Sequence, residues 1–450
     1  MRKPAPDRAP RAERESQWST FATIFAVLYC AGYGLGYLTR DMIFTSSSYG
    51  ADEPITTSVS RRELRLGTSI KKADPAKPKY AGDSIHTLLT SSGDHYQNYQ
   101  TRIMYATYKL VQKDPGGERL TGFTRILHRT VPDLLMDEVP TFHAKPQKPQ
   151  CDGWCDYPVA NRPDAIKQWF DAAAANESMI QGAWIFMLEC DYVWIKPMQP
   201  AGSAYDPSVP GIQFFYDYII PTHPNAVPSM KKMYPGDPKD IPAAGPAPVL
   251  LRFKDWQVLV PEYVRLSAQM EADEEMKKAL EWVREMYAWD AAVALHQDKI
   301  KILTEHPPNS STIVQPPFDE GMGRGCLCHY TWGALYHEGL PSKGAKQVYR
   351  YEKRDYNDLK YVLKVPPIVM PPEYKDGWIL EFDAPLNRKR HDLVVVMLTQ
   401  MNRGIAILPD LTEHWKQFEP RLNEIVRKRD AGEPIDSYGK VFGTTINFEA

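Results

Sequence analysis

Short apolar runs alternate with helix-forming stretches from Ser84 onward, and this alternation constrains the fold more than any other feature of the chain. The predicted strands cover residues 85–90, 123–128, 157–160 and 184–188, and the predicted helices cover 96–113 and about 163–174. Strands separated by helices predict an α/β fold with a mostly parallel sheet covered on both faces. Ligands of such sheets bind beyond the carboxyl ends of the strands, so the residues after Leu188 matter most.

Glu189 and Asp191 follow that apolar strand directly, two residues apart. Carboxylates at the end of a buried strand are costly unless they are solvated or meet a cation. Oxygen ligands of this kind favour Mg²⁺ or Mn²⁺, which keep positions open for substrate phosphates. The pair therefore predicts either a divalent metal site or an ordinary turn or helix cap.

A long helix is predicted over residues 273–297, where apolar residues recur every three or four positions. It carries Glu285 and Asp290, which are either part of a solvated face or candidates for acid–base work. Farther on, His329 is flanked by aromatic residues, a pattern that suits core packing, a metal ligand or an acid–base group.

The segment 18–38 has no charged residue and is about as long as the ~20 residues that a membrane-spanning helix needs. Residues 1–17 are rich in Arg and Lys, so the positive-inside rule predicts a cytosolic tail, a signal-anchor helix and a luminal chain. Residues 39–83 read as a flexible stem. A cleaved signal peptide and a buried core helix are the alternatives for this segment.

Five cysteines follow the apolar segment, and three arrangements stay open for them: disulfides, zinc ligation or reduced buried thiols. The chain has 54 Lys and Arg against 56 Asp and Glu, which argues against a nucleic-acid partner. No Gly-x-Gly-x-x-Gly or P-loop sequence is present, so dinucleotide dehydrogenases and P-loop NTPases lose their main support.

A series of sequence blocks lies at residues 86–90, 100–105, 122–128, 133–142, 161–163, 248–249, 282–288, 315–317 and 329–333. These ordered blocks resemble the plant and green-algal hydroxyproline O-arabinosyltransferases, and the resemblance spans residues 84–357. Residues 358–450 are a C-terminal extension, in which 392–401 has helix-compatible periodicity and the final stretch is charged. We therefore expect a helix that packs on this domain, followed by a loose tail.

The resemblance implies a GT-A-like, Rossmann-like glycosyltransferase domain behind the membrane helix of a type II Golgi protein. It also implies a UDP-β-L-arabinofuranose donor, a hydroxyproline-rich protein acceptor and a divalent metal, Mn²⁺ or Mg²⁺. The family has Glu-Pro-Asp-His where this chain has Glu-Cys-Asp-Tyr at 189–192, so both carboxylates match while Pro and His are replaced.

By the same resemblance, Asp191 and His329 are expected to bind the metal, and Glu189 to bind the metal or the donor. Glu285 is the expected catalytic carboxylate, with Asp290 as the weaker candidate. The expected donor-phosphate ligands are Arg102 and Arg125, since guanidinium groups suit phosphate.

Two other functions compete with this interpretation. One is a related luminal transferase with another donor or acceptor, such as a peptidyl-serine galactosyltransferase. The other is an anchored pseudoenzyme that organises other Golgi proteins, and the altered Glu-Cys-Asp-Tyr motif is its motivation.

Overall fold

The computed structural model describes residues 79–153 and 155–446. The strands are β1 (Ile85–Ser91), β2 (Leu120–His128), β3 (Thr141–Ala144), β4 (Trp184–Leu188), β5 (Tyr192–Trp194), β6 (Gly211–Phe214), β7 (Val249–Arg252), β8 (Ile302–Glu305), β9 (Ile313–Val314), β10 (Leu327–His329), β11 (Ala334–Glu338), β12 (Lys346–Tyr351), β13 (Trp378–Ile379) and β14 (Val441–Phe442). The α-helices are α1 (His95–Val111), α2 (Arg162–Ala175), α3 (Val227–Met233), α4 (Phe253–Glu271), α5 (Glu274–Leu280), α6 (Arg284–Leu295), α7 (Leu359–Leu363), α8 (Arg388–Ile405) and α9 (Thr412–Asp430).

The largest sheet has the strand order β14-β3-β2-β1-β4-β7-β6-β8. Strands β3, β2, β1 and β4 are parallel, as expected for strands linked through helices, whereas β7 runs antiparallel to both β4 and β6. Every residue of β1 and β4 is buried, which is typical of central strands with both faces covered. The α/β class is thus confirmed, and the sheet is mixed rather than mostly parallel.

Two three-stranded sheets, β5-β10-β9 and β12-β11-β13, lie beside the large sheet. Their apolar side chains form a second core together with α8, including Val193, Tyr336 and Met397. Helix α1 lies between the two cores: Met104 and Tyr108 pack into the first, and Tyr99 and Ile103 into the second. Helix α1 therefore connects the two cores, and the small sheet β5-β10-β9 also packs directly into the first core through Trp194 and Leu327.

Three predicted elements differ in the structure. Residues 157–160 are not a strand, because Pro158 begins a 3₁₀ helix, Pro158–Asn161, and its fixed φ suits a helical turn. The helix predicted over 273–297 is broken at Glu281, whose φ is +47°, into α5, a 3₁₀ turn and α6. The expected loose tail after the predicted helix near Asp392 instead contains α9 and the edge strand β14.

The break at Glu281 has a functional consequence. Because α6 starts anew at Arg284, Glu285 lies in the first turn of a helix, where backbone N–H groups favour a carboxylate. The apolar spacing of Met276, Leu280 and Val283 runs through the break, so periodicity gives no sign of it.

The described part of the chain contains one disulfide and three free cysteines. Cys151 and Cys155 form a disulfide, while Cys190, Cys326 and Cys328 are buried free thiols. Within residues 79–153 and 155–446, none of the helices combines the length and apolar character needed to cross a bilayer. The predicted tail (1–17), the predicted span (18–38) and almost all of the predicted stem (39–83) fall outside the described residues.

Arg102 connects α1 to the C-terminal segments. Its guanidinium forms a bidentate pair with Glu138 at 2.7 and 2.8 Å, and both side chains are fully buried. It also donates to the carbonyl oxygens of Val362 and Pro409. Arg102 therefore links the predicted catalytic domain (84–357) to the C-terminal extension (358–450).

Arg102→Met is expected to destabilise the fold by roughly 3–5 kcal/mol, because it leaves the Glu138 carboxylate buried without a cation. Urea unfolding of the purified full chain measures this, and the double variant Arg102→Met/Glu138→Leu is expected to recover part of the loss. An unchanged unfolding midpoint combined with weaker UDP binding would instead support a donor-binding role for Arg102.

Candidate active site

Glu189, Asp191 and His329 come together at the carboxyl end of β4. Glu189 and Asp191 occupy the link between β4 and β5, and His329 pairs with Tyr192 across the antiparallel β5–β10 ladder. One potential ligand atom from each of the three side chains lies within 4.8 Å of the other two. The structure thus brings together the two carboxylates and the imidazole that the sequence singles out.

The Asp191 carboxylate is held by two nitrogen groups. Its Oδ2 atom is 3.4 Å from Nε2 of His329 and 2.6 Å from Nζ of Lys353, which lies in the 3₁₀ turn Lys353–Tyr356 after β12. Burial alone would raise the pKa of Asp191. The opposite effect of Lys353 and His329 is larger, so the pKa of Asp191 lies well below its ordinary value. Asp191 is therefore an anion at neutral pH.

Arg162 joins Glu189 to Glu285. One guanidinium nitrogen is 2.5 Å from Oε1 of Glu189, and another is 3.5 Å from the Glu285 carboxylate. Burial alone would lower the pKa of Arg162, but the two carboxylates raise it well above its ordinary value. A permanent cation thus couples the acidic pair after β4 to helix α6.

Glu285 is buried and accepts a hydrogen bond from the hydroxyl of Tyr263 on α4. Its backbone N–H donates to the Tyr157 hydroxyl at 3.2 Å. Burial raises the pKa of Glu285, and this effect outweighs the opposing influence of Arg162 and Tyr263. A carboxylate with a raised pKa, held by the Tyr263 hydroxyl and Arg162, suits general base catalysis.

Asp290 lies apart from Glu285 on the same helix. Five residues place the two side chains roughly 140° apart around α6. The Asp290 carboxylate is fully buried and accepts from the backbone N–H of Ala244 at 3.1 and 3.2 Å, and burial raises its pKa well above the ordinary value. Asp290 therefore fixes the loop before β7.

The two arginines expected to bind the donor both form salt bridges with buried carboxylates of the same chain. Arg125 forms a bidentate pair with Asp133 at 2.5 and 2.8 Å and also contacts Asn98, and its side chain is fully buried. Arg102 is bound to Glu138 as described above. Within the described residues, neither guanidinium contacts Glu189, Asp191 or His329.

Sequence reasoning assigned no role to Arg162 or Lys353. Arg162 did carry a signal, because it lies in a block that resembles the family and directly precedes a predicted helix. Lys353 lies in a charged stretch between Glu352 and Arg354, 162 residues after Asp191, so only the fold brings it to the carboxylate.

The donor set fits a divalent cation. Glu189 and Asp191 offer hard carboxylate oxygens and His329 offers an imidazole nitrogen, and the three together suit Mn²⁺ or Mg²⁺. Three protein ligands do not fill an octahedral shell, so they leave coordination positions for phosphate oxygens. These residues could therefore hold a metal ion and an anionic ligand together.

Comparison with known proteins places this site in a class. A family model described as hydroxyproline O-arabinosyltransferase family N-terminal domain matches residues 85–302. Hydroxyproline O-arabinosyltransferase PLENTY of Lotus japonicus is 36% identical over 275 residues, which are 60% of this chain and 71% of the relative. Hydroxyproline O-arabinosyltransferase 2 of Arabidopsis thaliana is 30% identical over 366 residues, 80% of this chain and 91% of the relative. The protein is an enzyme of the glycosyltransferase class.

Within that class, the chain belongs to the hydroxyproline O-arabinosyltransferase family. Solved structures give weaker similarity. A glycosyltransferase involved in glycosylation of the major capsid of PBCV-1 is 13% identical with a TM-score of 0.29, covering 55% of this chain and 95% of that one. The galactosyltransferase LgtC is 10% identical, also with a TM-score of 0.29, covering 55% of this chain and 87% of that one. Scores this low do not establish a shared fold.

Asp191→Asn is expected to lower stability as well as metal affinity, because it leaves the Lys353 ammonium buried without a counter-charge. The expected cost is about 3 kcal/mol in urea unfolding of the purified full chain without added metal. The double variant Asp191→Asn/Lys353→Met is expected to be more stable than Asp191→Asn alone. Equal stability of wild type and Asp191→Asn would show that this ion pair contributes nothing to the fold.

Proposed function

We propose that the protein transfers L-arabinofuranose from UDP-β-L-arabinofuranose to the hydroxyl groups of hydroxyproline in hydroxyproline-rich proteins. Family membership supports this proposal, as do the names of the relatives. The geometric observation that carries it is the convergence of Glu189, Asp191 and His329 within 4.8 Å of one another, with Glu285 connected to them through Arg162.

The proposal includes the cellular setting and the finer fold assignment. The protein is a type II membrane protein of the Golgi, anchored by residues 18–38, with its catalytic domain in the lumen. Its uncharged segment and basic N-terminal tail support this topology. The catalytic domain is GT-A-like, which the α/β sheet with an acidic pair at the carboxyl end of β4 supports.

In the proposed mechanism, Glu189, Asp191 and His329 would hold Mn²⁺ or Mg²⁺. A bound divalent ion supplies positive charge that stabilises the UDP leaving group. Arg162 keeps Glu189 in place and sets the position of Glu285 at the same time. Glu285 accepts a hydrogen bond from the acceptor hydroxyl and takes its proton as the hydroxyl oxygen bonds to the anomeric carbon of the sugar. The bond from that carbon to the phosphate oxygen breaks, and UDP leaves with the electron pair. The Tyr263 hydroxyl orients the Glu285 carboxylate throughout.

The direct test is transfer to a synthetic hydroxyproline peptide by the purified full chain, followed by mass spectrometry. We expect the mass of one pentose to be added with UDP-β-L-arabinofuranose, transfer to stop with EDTA and to return with Mn²⁺. A panel with other UDP-sugars and a serine peptide tests the related transferase activities. Transfer only to serine, or only from another sugar donor, would reject the proposal.

Glu285→Gln is expected to reduce kcat by about 10²- to 10⁴-fold, the usual contribution of a general base. Affinity for UDP, measured by calorimetry, is expected to change little, because the amide keeps the size of the side chain. Glu281→Gln, an exposed change in the turn before α6, is the matched control and is expected to retain activity. Wild-type kcat in Glu285→Gln would exclude Glu285 as the base.

The pH profile of kcat/KM provides a separate test. Because burial raises the pKa of Glu285 above its ordinary 4.5, activity is expected to fall on acidification at a higher pH than for a solvated glutamate. Tyr263→Phe removes a donor that lowers this pKa, so the acidic limb is expected to move to still higher pH. A limb that stays in place or moves to lower pH in Tyr263→Phe would contradict the assignment.

A further inference from the structure

Lys353 is a buried cation inside the candidate metal site. Its side chain is 6% exposed, its Nζ atom is 2.6 Å from Oδ2 of Asp191 and it lies 5.5 Å from the centre of the Tyr330 ring. Burying an ammonium group is costly unless a partner offsets the lost hydration. Among the described residues, Asp191 is the one carboxylate that forms a salt bridge with Lys353.

The Asp191 oxygen that Lys353 contacts is also the one that lies close to His329. Oδ2 of Asp191 is the atom 3.4 Å from Nε2 of His329, and His329 and Asp191 are two of the three proposed ligands. A divalent cation bound to Asp191 therefore has the Lys353 ammonium as a close neighbour of like charge. Charges of the same sign repel strongly at such separations when water is largely excluded.

The charges around the site show what relieves this repulsion. Three carboxylates, Glu189, Asp191 and Glu285, face two cations, Arg162 and Lys353, so one net negative charge remains when all three carboxylates are ionised. A divalent ion converts this to one net positive charge. A nucleoside diphosphate then supplies negative charge, and the Lys353 ammonium is a donor suited to phosphate oxygens.

We propose that Lys353 makes metal binding and nucleotide binding depend on each other. It opposes a divalent ion that binds alone, and it stabilises the diphosphate once ion and nucleotide are bound together. This inference rests on the proposed function, since it takes Glu189, Asp191 and His329 as the metal ligands. Lys353 is thus a donor-binding residue and sets the coupling between the two ligands.

The test measures binding of Mn²⁺ and UDP to the purified full chain, by electron paramagnetic resonance for Mn²⁺ and calorimetry for UDP. Lys353→Gln is expected to bind Mn²⁺ alone about tenfold more tightly than wild type and to bind UDP with saturating Mn²⁺ about tenfold more weakly, within the usual range of coupling between sites. By reciprocity, UDP is expected to improve Mn²⁺ affinity much less in Lys353→Gln than in wild type.

Two further variants separate charge from structure. Lys353→Arg keeps the positive charge and is expected to retain most of the coupling. Lys346→Gln removes an exposed lysine of β12 that is 3.8 Å from Glu338, and it is expected to behave as wild type. Folding is checked by thermal unfolding, in which Mn²⁺ alone is expected to raise the Tm of Lys353→Gln more than that of wild type.

The outcomes distinguish this inference from the proposed function. If Lys353→Gln binds Mn²⁺ alone no better than wild type, or binds UDP equally well, the coupling role is wrong even where wild type transfers arabinose. Weaker binding of both ligands in Lys353→Gln would make Lys353 a support for Asp191 only, which also overturns the inference. If wild type binds neither UDP nor Mn²⁺, the metal-site assignment itself fails.

Discussion

The Asp191 carboxylate is held between His329 and Lys353, and three separate parts of the chain meet at this one group. Asp191 follows the central strand β4, His329 ends β10 of a small sheet, and Lys353 comes after β12 of another. Each of these side chains is at least 85% buried, so the charges of Asp191 and Lys353 need each other to offset their lost hydration. The relative placement of the sheets and the chemistry of the site therefore depend on the same contact.

A second chain of charges runs from Glu189 through Arg162 to Glu285 and connects this contact to the acceptor side of the proposed site. It depends on a local backbone feature: the helix break at Glu281 puts Glu285 in the first turn of α6. In both chains the carboxylates lie next to nitrogen groups, which offsets part of the cost of burying them. A site built in this way accepts a cation and an anion as a pair more readily than either one alone.

The sequence predicted the central strands and helices because apolar runs and helical spacing can be read from neighbouring residues alone. Strand β4 matches its apolar run residue for residue, and α1 starts at His95 behind the capping side chain of Asp94. The sequence did not predict the antiparallel β7, the break at Glu281 or helix α9. Strand direction depends on long-range pairing, the break lacks a glycine or proline, and α9 has a polar sequence with one buried side chain, Phe418.

The candidate site was predictable in the same uneven way. Glu189 and Asp191 were found because they end an apolar strand, and His329 and Glu285 because their sequence blocks resemble the family. Arg102 and Arg125 look equally suitable in sequence, yet both are buried and form salt bridges with Glu138 and Asp133.

The most direct measurement of the central claim is anomalous diffraction from crystals grown with UDP and Mn²⁺. The account predicts one manganese peak in contact with Asp191 and with the UDP diphosphate. A peak or a diphosphate bound away from Asp191 would contradict it.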